Sequence, residues 1–127
     1  MNGTMTRPWH EIVERYSGFN GDNRSIHALH DLALRIADSP YRNGFFAWTS
    51  MWDLCIAQTE VSYPYDGPFL RISPISDDRV ELRFIDTRDR CRQWHREVPA
   101  EEAYDRLEKF LVRDLKWCAP LPTSTAS

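Results

Sequence analysis

The chain has 127 residues, a net charge of −3 and a composition that is 42% hydrophobic and 28% charged, a profile typical of one globular domain. It contains no run of about 18 apolar residues, which excludes a transmembrane helix, and its first residues lack the pattern of a secretion signal. The acidic balance argues against a general nucleic-acid-binding protein. We expect a single α+β domain over residues 1–118 and a flexible C-terminal tail over residues 119–127.

The first two elements are predicted to be helices. Apolar residues recur at helical spacing from Pro8 to Tyr16 and again from Ile26 to about Asp38. Ser25 is a suitable N-cap for the second helix, and Pro40 ends its pattern. The stretch 17–23 between the two helices is rich in Gly and Asn, which indicates a loop.

Short runs of aromatic and aliphatic residues follow the helices. We predict strands at 45–50 and 53–60, and a continuous helix over Phe46–Gln58 stays open as an alternative, because short apolar runs do not separate the two structures. The Pro-containing segment 62–68 indicates a loop. Residues 69–73 indicate a third strand, with a proline at its end.

The last two predicted strands, 79–86 and 91–98, fit one antiparallel register. Pairing Phe84 with Trp94 keeps most apolar side chains on one face, whereas a shift by one residue would exchange the two faces. The connection from Thr87 to Cys91 is then a five-residue loop or a bulged turn.

A final helix completes the domain. Pro99 and the acidic residues after it indicate a helix from about Ala100 to about Leu115. Its apolar stripe includes Leu107, Phe110 and Leu111, which we expect to be buried against the sheet. Helices therefore flank a run of strands. This order predicts an α+β fold, an antiparallel β-meander of four to five strands with the N-terminal and C-terminal helices packed on one face.

The spacing of the cysteines indicates the cellular compartment, and the arginine content indicates the type of genome. The three cysteines are widely spaced and form no Cys-x-x-Cys pair, so we predict free thiols at Cys55, Cys91 and Cys118 and a cytoplasmic location. All but two of the 16 basic residues are Arg, which we interpret as codon bias in a GC-rich bacterial genome.

The outer face of the final hairpin is the first candidate site. In the chosen register Arg83 lies opposite His95, and Glu81 lies opposite Glu97. A carboxylate base, an imidazole acid and a guanidinium that neutralises the phosphate are the groups that metal-independent cleavage of RNA requires. The same residues are also typical of a solvated sheet face.

Two further sets of residues carry candidate chemistry. His27 and His30 have the i, i+3 spacing of two metal ligands on one helix face, but a third ligand would have to come from His10 or His95 by tertiary placement. We therefore predict neither a metal nor another cofactor. A basic cluster surrounds the tip of the final hairpin and is interleaved with aspartates that lower its charge; it consists of Arg88, Arg90, Arg92 and Arg96.

The function expected from these features is binding rather than catalysis. The chain has no glycine-rich phosphate loop, no nucleophile elbow and no dinucleotide fingerprint. We expect a small non-enzymatic bacterial protein that binds another protein, such as an inhibitor or immunity-type protein. A homodimer is also possible on this interpretation. A membrane or a nucleic acid is not an expected partner. The expected binding residues are Tyr63, Tyr65, Arg83 and His95.

Two alternatives stay open. One is a small metal-independent, ribonuclease-like hydrolase that uses Glu81, Arg83, His95 and Glu97. The other is a domain that binds a small ligand in a pocket between the sheet and the helices.

Overall fold

The computed structural model describes residues 6–19, 21, 23–59 and 68–117. Two helices precede five strands, and a short helix follows them. The elements are α1 (Trp9–Ser17), α2 (Arg24–Ala37), β1 (Phe46–Ser50), β2 (Asp53–Ala57), β3 (Pro68–Pro74), β4 (Arg79–Asp86), β5 (Trp94–Pro99) and α3 (Ala103–Lys109).

The five strands form one antiparallel sheet in the order β1-β2-β3-β4-β5, so each strand pairs with its neighbour in the chain. The predicted meander is confirmed. So is the register of the last hairpin, in which Phe84 lies opposite Trp94 and Arg83 lies opposite His95. The alternative helix over Phe46–Gln58 is wrong, because β1 and β2 form an antiparallel hairpin there.

The three helices cover one face of the sheet, and this confirms the predicted α+β arrangement. Apolar side chains from all five strands meet the apolar faces of the helices in a single core. The opposite face, which we call the open face, carries a smaller buried cluster on β1, β2 and β3, formed by Trp48, Cys55, Ala57 and Phe69. Among the described helices, none is long and apolar enough to cross a membrane.

The start of α2 differs from the prediction. The helix begins at Arg24 rather than Ile26, because the Asn23 side chain accepts the backbone N–H groups of Ser25 and Ile26 at 3.0 and 3.1 Å. Asn23 is therefore the N-cap. Ser25, the predicted cap, is buried in the first turn.

The last strand starts later than predicted. β5 begins at Trp94 rather than Cys91, because the chain leaves β4 through a 3₁₀ turn at Arg90–Arg92. The Asp89 side chain caps this turn by accepting the backbone N–H of Cys91 at 3.1 Å. A side-chain cap of this kind competes with strand pairing for the backbone groups.

The C-terminal helix is not the uniform α-helix that the sequence predicts. It opens with a 3₁₀ turn at Ala100–Glu102 and closes with a wide π turn at Phe110–Asp114. The backbone N–H of Ala100 donates to the Asp78 carbonyl at 2.8 Å, which ties the first turn to the loop between β3 and β4. At the other end, Trp117 donates to the Leu111 carbonyl at 2.8 Å and so turns back toward the core.

The apolar stripe of this helix is only partly as predicted. Leu107 and Leu111 are buried in the core, in agreement with the prediction. Phe110 is half-buried instead of buried, because it lies in the π turn, where its ring packs at 4.5 Å from the ring of Trp94 near the rim of the core. The predicted tail at 119–127 and Cys118 lie outside the described residues.

Candidate binding surface

Polar side chains occupy the open face along β2 to β5. Side chains alternate between the faces of a strand, so the neighbours of the core residues on β3, β4 and β5 point to this face. We call this set of residues the polar strip. It consists of Asp53, Arg71, Ser73, Glu81, Arg83, His95 and Glu97.

The first ion pair of the polar strip joins β2 and β3. Nε of Arg71 donates to Oδ2 of Asp53 at 2.7 Å, and both side chains are less than a quarter exposed. A charge-assisted hydrogen bond at this distance, partly shielded from water, is stronger than an ordinary surface salt bridge. The pair therefore holds both side chains in fixed positions.

A second group of charges is centred on Glu81 of β4. Oε1 of Glu81 lies 3.2 Å from Nε of Arg83, and Oε2 lies 3.5 Å from Nδ1 of His95. The contact with Arg83 is an ion pair without hydrogen-bond geometry, because the buried Nε–H has no acceptor aligned with it. Glu81 thus faces two basic side chains.

Three of the four residues predicted for catalysis are brought together, and the fourth is not. Glu97 is opposite Glu81 in the register, but its carboxylate turns toward Arg79, at 3.8 Å. A general base must be able to reach a substrate proton, whereas Glu81 is already engaged by Arg83 and His95. The His95 side chain is 70% exposed, so no wall excludes water from it.

Ser73 and the Asp53–Arg71 pair belong to the polar strip although the sequence-based argument did not include them. Ser73 is buried, and its hydroxyl has no hydrogen-bond partner within the described part of the chain. It lies on β3 opposite Glu81, while His95 lies on β5. Two strand spacings, about 9.5 Å, therefore separate Ser73 from His95, which excludes a hydrogen-bonded Ser–His pair.

Cys55 lies beside the polar strip, opposite Arg71 in the register, and is fully buried. Burial raises the pKa of its thiol to about 12, and the nearby Arg71 guanidinium only partly opposes this. The nucleophile in thiol chemistry is the thiolate. Cys55 is therefore an inert core residue, and it forms no disulfide.

His27, one of the two histidines considered as metal ligands, makes contacts within its own part of the chain. Nε2 of His27 lies 2.8 Å from the Gly21 carbonyl, and its ring packs edge-on against Phe19. Across the described residues, no group of three His, Cys, Asp or Glu side chains is arranged to hold a metal with His27 and His30. The tyrosines predicted to bind a partner, Tyr63 and Tyr65, lie outside the described residues.

A groove on the helical layer is separate from the polar strip. It has a volume of about 490 Å³ and lies where α1 approaches the end of α2. Its lining mixes apolar and charged side chains: Trp9, His10, Val13, Leu34, Ala37, Asp38, Arg42 and Asn43.

Comparison of the chain with protein-family models, with curated proteins and with solved structures finds no match.

Proposed function

We propose that the chain is a small protein-binding module, without enzymatic activity, that presents the polar strip to a partner protein. Within this class, we propose an inhibitor or immunity-type protein of the bacterial cytoplasm. A second copy of the chain is an alternative partner. The support comes from the geometry of the open face, since the comparisons identify no relative.

The observation that carries this proposal is the ordering of charged side chains before any partner binds. Asp53 and Arg71 are held at 2.7 Å, and Glu81 lies within 3.5 Å of both Arg83 and His95. Immobilising a long side chain at an interface costs about 0.5–1.5 kcal/mol. Side chains that are already held by ion pairs avoid part of this cost, which favours recognition of a partner.

The experiment is partner capture with matched variants. Arg83→Gln removes a guanidinium that lies 3.2 Å from a glutamate on the polar strip. Arg106→Gln removes a guanidinium at the same 3.2 Å distance from Glu102 on the final helical segment. A protein bound by the wild type and by Arg106→Gln, but lost with Arg83→Gln, is the expected result. Equal retention by both variants would contradict the proposal.

A ribonuclease is the second candidate, because Glu81 contacts both an arginine and a histidine. RNA incubated with purified protein in the presence of a chelator should remain intact if the polar strip only binds. Metal-independent cleavage that His95→Ala lowers by about 10²–10⁴-fold would replace the binding proposal with this one.

A further inference from the structure

The hairpin between β4 and β5 is a basic part of an acidic chain. Residues 86–96 contain four arginines and two aspartates, a net charge of +2, so the remainder of the chain carries −5 against a total of −3. We call the arginines of this segment the basic tip. They are Arg88, Arg90, Arg92 and Arg96, and all four are exposed.

The two aspartates of the segment are engaged within the loop. Asp86 is buried, and its Oδ1 accepts the backbone N–H groups of Arg88 and Asp89 at 2.9 and 3.1 Å. Its Oδ2 lies 3.5 Å from Arg92. Asp89 caps the next turn by accepting the N–H of Cys91. Both carboxylates of the segment therefore stabilise the shape of the loop through hydrogen bonds to its backbone.

The arginines of the basic tip differ in their contacts with carboxylates, and Arg92 is paired with Asp86. Within the described residues, Arg90 and Arg96 form no ion pair with a carboxylate, and the only side-chain hydrogen bond of Arg96 is to the adjacent carbonyl of His95. The loop that carries Arg90 is fixed by a further bond, from the Asp86 N–H to the Gln93 side chain at 3.1 Å. The hairpin therefore displays positive charge at Arg90 and Arg96 that no carboxylate among the described residues pairs with.

We propose that the basic tip docks an acidic segment of the partner protein. This inference rests on the proposed function and adds the chemistry of the partner. Guanidinium groups form forked, charge-assisted contacts with carboxylates, and complementary charge guides association. Single-stranded RNA fits less well, because bases stack best on large exposed aromatic rings, whereas the tryptophan of this hairpin, Trp94, is half-buried between Phe84 and Phe110.

The test uses a fluorescein-labelled octa-glutamate peptide and measures its anisotropy at low and at physiological salt. Arg90→Gln with Arg96→Gln should weaken binding by about tenfold, because two charge-assisted contacts are lost. The matched control, Arg24→Gln with Arg35→Gln, removes the same charge from α2 and should change binding less than twofold. All four arginines are exposed, so circular dichroism should show the same fold in both variants.

Three outcomes would overturn the inference. Binding that is equal in the wild type and the tip variant would show that the basic tip is not used. An equal loss of peptide binding in the control variant would show that binding depends only on the net charge of the protein. Tighter binding of an oligouridine of equal charge would assign the tip to RNA.

The two proposals can fail separately. A captured partner that needs Arg83 but tolerates the tip variant would leave the polar strip as the binding surface and remove only the acidic-segment inference. A partner that needs Arg90 and Arg96 but tolerates Arg83→Gln would support the acidic-segment inference and remove the polar strip as the binding surface.

Discussion

Met51 shows how a single residue is held in an unfavourable backbone conformation. It lies in the two-residue turn between β1 and β2 with a φ of 57°, a left-handed conformation that costs a non-glycine residue about 1–2 kcal/mol. Helix α1 holds the turn, because Arg15 donates to the Met51 carbonyl at 2.8 Å and the Tyr16 hydroxyl donates to the Trp52 carbonyl at 2.9 Å.

Replacing Met51 with glycine should stabilise the protein. The side chain is 83% exposed, so little packing is lost, and relief of the left-handed strain exceeds the added chain entropy of glycine. We expect the free energy of unfolding to rise by about 0.5–1 kcal/mol, measured by urea denaturation. Met51→Ala keeps the strain and is the control, and an equal gain in both variants would refute the explanation.

Cys55 makes stability depend on alkaline pH. Burial raises the pKa of its thiol from 9.0 to about 12, so between these values the unfolded chain releases a proton that the folded chain keeps. Stability should therefore be complete below about pH 9 and fall as the pH rises toward 12.

The Cys55→Ala variant isolates this effect. The free energy of unfolding of this variant should fall less steeply with pH than that of the wild type. The two slopes should differ by up to about 1.4 kcal/mol per pH unit, measured in urea titrations between pH 8 and 11. The wild-type slope also contains Tyr16 and Tyr104, whose hydroxyl pKa values are raised chiefly by burial. Both tyrosines are kept in the variant, and the smaller effect of the Cys55 charge on the pKa of Tyr16 is lost together with the thiol. Parallel curves for the two proteins would contradict the assignment to Cys55.

At the scale of elements, the C-terminal helical segment has two energetically different parts. Leu107 is 1% exposed on α3, whereas Phe110 is half-buried in the π turn. Leu107→Ala should cost about 2–5 kcal/mol, and Phe110→Ala should cost about 1–2 kcal/mol, below the usual 3–5 for a buried phenylalanine. Chemical denaturation measures the two losses in the free energy of unfolding. A larger loss for Phe110→Ala than for Leu107→Ala would contradict the prediction.

Strand pairing was predictable from the sequence because alternation carries the signal. Apolar residues at every second position of β4 fixed its face, and the choice between two registers then placed Arg83 opposite His95. The same alternation in β3, with Leu70 and Ile72 facing the core, would have placed Arg71 and Ser73 on the polar strip. The alternation of apolar residues therefore predicts the polar strip on β3 as well as on β4 and β5.

Other features depend on contacts that no local pattern encodes. The π turn at Phe110–Asp114 and the return of Trp117 to the core follow from packing against Phe45 and Phe84. Tertiary packing decides both outcomes.

At the scale of the molecule, one apolar core joins all three helices to all five strands. Unfolding should therefore be a single cooperative transition. Far-ultraviolet circular dichroism reports the helices, and fluorescence reports the tryptophans, of which Trp9 and Trp48 are buried on opposite faces of the sheet. Both signals should give one midpoint in urea, whereas separated midpoints would mean that the helical layer detaches first.

The neighbour-to-neighbour order of the sheet also has a kinetic consequence. The turns after β1 and β3 are short, so these hairpins close small loops within about 1–10 μs. Helix α1, in contrast, reaches β1 across 36 residues, as in the bond from the Trp9 indole to the Phe45 carbonyl. We expect the sheet to nucleate before α1 docks. Substitutions in the β3–β4 hairpin should then slow folding, while those in α1 should mainly speed unfolding.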